Sequence, residues 1–135
     1  MIVVDTKVVA YFWLPGVYTA YAEQALNKDN EWAAPILWRS EFRNILAGYM
    51  RRRAFNIDMA VQLMEHAEAQ MKGREYIVES GRVLNLVEMS SCSAYDCEFV
   101  ALAEDLGVPL ITTDKKVIRT FPAIALPLDK FVSNN

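Results

Sequence analysis

Histidine and cysteine are nearly missing from this chain. His66 is the one imidazole, and Cys92 and Cys97 are the two thiols. Without a second cysteine pair, a Cys/His zinc cage is not expected. A disulfide scaffold is not indicated either, and the thiol usage fits a reducing cytosol. A single histidine points away from paired-imidazole nucleases and from a Ser-His-Asp hydrolase. Long apolar runs are also lacking: each is short and broken by charge, so none suits a bilayer span. The N-terminus has no basic region followed by a long apolar stretch, so it does not read as a secretory signal. A soluble, cytoplasmic protein with no membrane partner is the expectation. Basic excess is absent too. The net charge of −3 gives no global signature of a nucleic-acid binder, although divalent cations at an acid cluster reverse the local balance.

What is present suits a folded core. The chain has 135 residues and is 53% hydrophobic, which suggests one domain spanning 1–135. The opening stretch Met1-Ile2-Val3-Val4-Asp5-Thr6 reads as a buried strand delivering a carboxylate to a sheet end. Pro109-Leu110-Ile111-Thr112-Thr113-Asp114 repeats that pattern late in the chain. Further strands are expected at 31–35, 76–78 and 123–127, the last at a sheet edge because Pro127 has no N–H to donate. Helices are expected over 7–14, 18–28, 36–53, 57–71, 79–90 and 94–106, with a short one at 115–121 and a tail at 129–135. In 57–71, Ile57, Ala60, Val61, Met64, Ala67 and Met71 form an amphipathic stripe. Strands alternating with helices argue for an α/β fold with a parallel sheet and helices on both faces.

Four acids stand out by placement. Asp5 and Asp114 end strands. Glu41 sits on the margin of the stripe carrying Trp38, Phe42, Ile45 and Tyr49. Asp96 lies in a first helical turn on the stripe of Val100 and Ala103, whereas Glu98, Glu104 and Asp105 point elsewhere, towards solvent. Each acid has an ordinary alternative. Asp5 and Asp114 suit helix caps, Glu41 a surface pair with arginine, and Asp96 a dipole partner. Carboxylates sharing one pocket need compensation, usually a hard cation such as Mg²⁺ or Mn²⁺ that takes oxygen ligands. Such an ion activates water and stabilises charge on a scissile phosphate.

Four segments carry a resemblance. Ile2-Val3-Val4-Asp5-Thr6, Ser40-Glu41-Phe42-Arg43-Asn44-Ile45-Leu46, the run from Ala94 to Glu104 and Leu110-Ile111-Thr112-Thr113-Asp114-Lys115-Lys116 look like the signature blocks of PIN domains. They look most like those of VapC ribonuclease toxins from toxin–antitoxin pairs. The resemblance runs in order along essentially the whole chain. It implies a parallel sheet of order 3-2-1-4-5 and a Mg²⁺- or Mn²⁺-dependent endoribonuclease acting on single-stranded or structured RNA. It also implies a cognate antitoxin and a homodimer.

By the same resemblance, Asp5, Glu41, Asp96 and Asp114 form the acidic quartet, with Thr6, Asn44 and Thr112 supporting it. Asp5, Asp96 and Asp114 then hold the cation, directly or through water, and Glu41 binds it through water or orients and deprotonates the attacking water. Many relatives carry a further acid after the last aspartate; here Lys115, Lys116 and Val117 stand there. Lys7, Lys115, Lys116 and Arg119 are candidates for the RNA backbone. The main alternative is a non-catalytic module of the same fold that binds RNA or protein. A phospho-accepting receiver domain is disfavoured, because Asp5 is followed by Thr6 rather than a second acid and the late strand ends in Asp114 rather than lysine.

Overall fold

Ile2, Val3 and Val4 form β1 (Ile2–Val4), and all three are buried. Successive strand side chains point to opposite faces, so three buried in a row means both faces are covered. The computed structural model describes residues 1–134. After β1 come α1 (Thr6–Trp13), α2 (Thr19–Lys28), β2 (Trp32–Pro35), α3 (Leu37–Arg51) and α4 (Ile57–Met71). Then follow β3 (Glu75–Tyr76), α5 (Ser80–Glu88), α6 (Ala94–Leu106), β4 (Leu110–Thr112), α7 (Lys115–Thr120), β5 (Ala125–Pro127) and α8 (Leu128–Ser133). The five strands are parallel in the order β3-β2-β1-β4-β5. β1 is therefore the middle strand. Its register sets Val3 against Ala33 on one side and Leu110 on the other.

The core is built on that sheet. Trp32, Trp38, Phe42 and Met71 are its largest fully buried side chains. α6 contributes Cys97, Phe99, Val100, Ala101, Leu102 and Ala103, so it is apolar over most of its circumference. Gly107 closes it at φ 67°, a left-handed conformation in which a side chain is strained. Both thiols are free and buried. No helix among the described residues is long and apolar enough to cross a membrane.

Three expectations about elements need correction. β3 covers Glu75–Tyr76 rather than 76–78, and Ile77 is 91% exposed. The Ile36 N–H bonds to the Tyr76 carbonyl, and beyond that rung β2 has already turned into α3, leaving residues 77 and 78 nothing to pair with. Residues 129–133 are helical rather than a tail. Leu128 and Phe131, one turn apart, are buried in α8, and Lys28 of α2 donates to the Phe131 carbonyl and sits over its ring. The apolar stripe of α4 is also shorter than its sequence suggests. Ala60, Ala67 and Met71 are buried while Ile57 and Val61 are exposed. The C-terminal half of α4 is held against α1 by Trp13, which donates to Gln70 (2.8 Å) and packs on His66. The first two turns extend beyond that contact.

A charged cluster pins β3. Glu75 accepts from Arg39 through Nε (2.6 Å) and Nη2 (2.8 Å), and from Trp38 Nε1 (2.8 Å). Arg39 also pairs with Glu68 of α4. The Arg39 hydrogen bond holds the Glu75 carboxyl below its ordinary range.

Candidate active site

A cavity of about 260 Å³ opens beyond the C-terminal ends of β1 and β4, and Asp5, Glu41, Asp96 and Asp114 all line it. Ligands of open parallel sheets bind at this end of the strands. Thr6, Lys7, Asn44 and Thr112 complete the polar wall, and Ile45, Phe99, Leu110 and Val117 supply an apolar one. Four segments far apart in sequence thus bring their acids to one place.

Each acid is positioned by a local device. Asp5 leaves β1 as the N-cap of α1, its Oδ1 accepting from Val8 N (3.2 Å). Asp114 leaves β4 as the N-cap of α7, its Oδ1 accepting from Lys116 N (2.9 Å) and Val117 N (3.1 Å). The capping alternative for these two is therefore real, and it coexists with placement in the pocket. Asp96 stands in the first turn of α6, whose cap is Ser93. Glu41 reaches in from α3.

Two threonines tie the acids together. Thr6 Oγ1 donates to Glu41 Oε1 at 2.6 Å. Thr112 Oγ1 donates to Asp5 Oδ2 and accepts from Asp114 N (3.0 Å), so one hydroxyl links the ends of two strands. Both threonines are buried and polar, which requires such partners.

The electrostatics are those of a charge deficit. Burial pushes the Asp5 carboxyl from about 3.8 up to about 6, against hydrogen bonds from Thr112 and Val8 that pull it down. Glu41 is raised by burial first, then by the charges of Asp96 and Glu98, with Thr6 opposing. No arginine or lysine forms an ion pair with any of the four acids among the described residues. In their present orientations no three carboxylates of the described residues stand close enough to share one ion. Asp5 and Asp114 each give an oxygen to a helix cap, and unneutralised acids repel one another. The donors are nonetheless all hard oxygens on one cavity, with no imidazole or thiol in its lining, which suits a divalent cation of the Mg²⁺ type.

Of the expected phosphate contacts, Lys7 lines this cavity, and Lys115 and Arg119 line a neighbouring groove. Lys116 is exposed, and its Nζ donates to the Ser91 carbonyl (2.7 Å), which fastens α7 to the loop before α6. Glu98 was expected in solvent but is half-buried, with its own carboxyl raised by that burial. Its charge acts on Glu41. Helical spacing from Asp96 puts Glu98 on another face, so spacing carried no signal for it.

A parallel sheet of this order with acids gathered beyond its central strands defines a PIN-type α/β protein. The chain belongs to the PIN domain family, whose model matches residues 2–122. It is 28% identical over 129 residues to Ribonuclease VapC3 of Pyrobaculum aerophilum, an alignment covering 93% of this chain and 98% of the relative. Its fold is similar to the crystal structure of PAE2754 from Pyrobaculum aerophilum, with a TM-score of 0.76 and 17% identity over 97% of this chain and 85% of that one. A toxin–antitoxin complex from Klebsiella pneumoniae gives a TM-score of 0.70 at 17% identity, over 93% and 97%.

Proposed function

We propose that this protein is a divalent-metal-dependent endoribonuclease and the toxin of a toxin–antitoxin pair. One observation carries the catalytic part: acids from four separate segments line one cavity at the strand ends, with no ion pair to any of them among the described residues. The relative named a ribonuclease and the neighbour that is a toxin–antitoxin complex support the substrate class and the antitoxin partner. A homodimer belongs to the same reading.

Asp5, Asp96 and Asp114 would hold Mg²⁺ or Mn²⁺, with Asn44 beside them. The ion supplies Lewis-acid stabilisation of the charge that develops on the scissile phosphate. Glu41 is the proton acceptor for the attacking water. Thr6 occupies its Oε1, so Oε2 is the atom left to take the proton. Its raised pKa brings it closer to neutrality, where a general base is most effective. Water adds at phosphorus as its proton passes to Glu41, the ester P–O bond breaks, and the leaving oxygen takes a proton from solvent. Thr112 keeps Asp5 and the start of α7 in register with each other.

The test is cleavage of cellular RNA by the purified protein with Mn²⁺ or Mg²⁺, with EDTA as control. Cutting that stops in EDTA is expected. Equal cutting in the chelator overturns the metal, and RNA binding without cutting returns the protein to the non-catalytic module.

A further inference from the structure

A second groove, of about 550 Å³, adjoins the acid cavity. It runs between α2, α7 and the β5–α8 junction, and Thr112 lines both spaces. Its wall is formed by Tyr18, Tyr21, Lys115, Ile118, Arg119 and Lys130, with Asp129 as its one acid among the described residues. The tyrosines make a file. Tyr11 is hydrogen-bonded to Thr113 at the end of β4 (3.0 Å) and packs on Tyr18 at 4.7 Å between ring centroids, and Tyr18 lies 6.3 Å from Tyr21. Tyr18 is 43% and Tyr21 39% exposed, so both present open ring surface. Lys115, Arg119 and Lys130 are exposed, and no ion pair among the described residues engages them. In a chain of net charge −3, three free cations beside open aromatic rings form a local surface of opposite sign.

We propose that this groove carries the unpaired nucleotides next to the scissile phosphate, with bases stacking on Tyr18 and Tyr21 and phosphates held by Lys115, Arg119 and Lys130. The inference rests on the ribonuclease reading and specifies how its substrate is held. Aromatic faces interleaved with cations are how single strands are gripped without base-edge readout. A duplex hides its base faces, so the groove selects unpaired RNA at this position. Continuity through Thr112 lets one phosphate backbone pass from groove to acids.

The experiment measures binding of a single-stranded RNA of about 12 nucleotides and of its duplex by fluorescence anisotropy across a salt series. Asp96→Asn is present throughout, so that the RNA stays intact. In that background Lys115→Ala/Arg119→Ala weakens single-strand binding about tenfold, and the slope of log Kd against log salt falls by about 1.4, for two phosphate contacts. Tyr21→Ala weakens it by about tenfold while Tyr21→Phe does not, and duplex binding is indifferent to either. These side chains are exposed, and thermal melting checks that each variant is folded. Unchanged affinity and salt slope in the folded variants overturn the groove assignment. Cleavage is measured in parallel with native Asp96 and Mn²⁺. Cutting with no groove effect leaves the nuclease standing and removes the groove; groove binding with no cutting overturns the nuclease, and with it the groove as the flank of a cut site.

Discussion

Two groups of carboxylates in this protein are held in opposite ways. At β3, Glu75 meets a guanidinium and an indole N–H, and its carboxyl is drawn down chiefly by Arg39. At the ends of β1 and β4, Asp5 and Glu41 accept from hydroxyls and backbone N–H groups rather than from a guanidinium, and both are pushed up chiefly by burial. The first cluster is complete within the chain and fastens a two-residue strand to the sheet. In the second, the charge of Lys7 pulls Asp5 down only weakly, and no ion pair engages any of the four acids among the described residues. A site left in that state is organised for a charge from outside, and perturbed carboxylates in a cleft mark function more often than stability.

Neutralising one member of each group should separate them most sharply. Asp5→Asn should reduce RNA cleavage by roughly 10³-fold, with the fold retained. Glu75→Gln should leave turnover per folded molecule unchanged and lower stability by about 1 kcal/mol, a charge-assisted bond discounted for the partial exposure of Arg39. Single-turnover cleavage together with urea denaturation of both variants checks this. Equal loss of activity in the two would erase the distinction.

The pH dependence of stability in EDTA should differ in sign. The folded pKa of Asp5 lies above its ordinary value, so its contribution is fully present below about pH 3.8 and is lost as pH rises through about 6. Glu41 acts in the same direction. Glu75 is depressed, so its contribution is present above about 4.5 and is lost as pH falls through its lowered value. The metal-free protein should therefore gain stability between pH 7 and 5, by about 1 kcal/mol from Asp5, and approach about 3 kcal/mol only below its ordinary pKa. Asp5→Asn should flatten that gain, and saturating Mn²⁺ at pH 7 should replace it, because cation binding favours the ionised acids. Denaturation midpoints at several pH values, with and without metal, decide it.

The sheet was legible because β1 and β4 announce themselves as apolar runs ending in aspartate, and α4 and α6 have the bounds that their caps and periodicity suggest. Placement of the single acids was legible too, down to the caps of Asp5 and Asp114. Their convergence was not a local property. Asp5 and Glu41 meet through a topology in which β1 lies between β2 and β4, and only the resemblance of the four blocks spoke to that. Glu98 and the Tyr18–Tyr21 groove escaped for a related reason. Helical spacing describes one element, whereas half-burial and open ring surface depend on which neighbours pack against it. α8 was missed because Leu128, Phe131 and Val132 in a six-residue helix make too weak a period to see.

The smallest expected effect tests how finely Glu41 is set. Thr6 pulls the Glu41 carboxyl down while burial, Asp96 and Glu98 push it up. Thr6→Val keeps the shape of a buried side chain and removes the 2.6 Å hydrogen bond. The Glu41 pKa should rise further, because the opposing interaction is gone. A proton acceptor must be ionised, so the acid limb of the kcat/KM profile should move to higher pH, with the rate on the plateau nearly retained. Glu98→Gln should move the same limb the other way by removing a repelling charge. A limb indifferent to both substitutions would mean that Glu41 does not set it, and would transfer the proton-accepting role to another acid of the cavity.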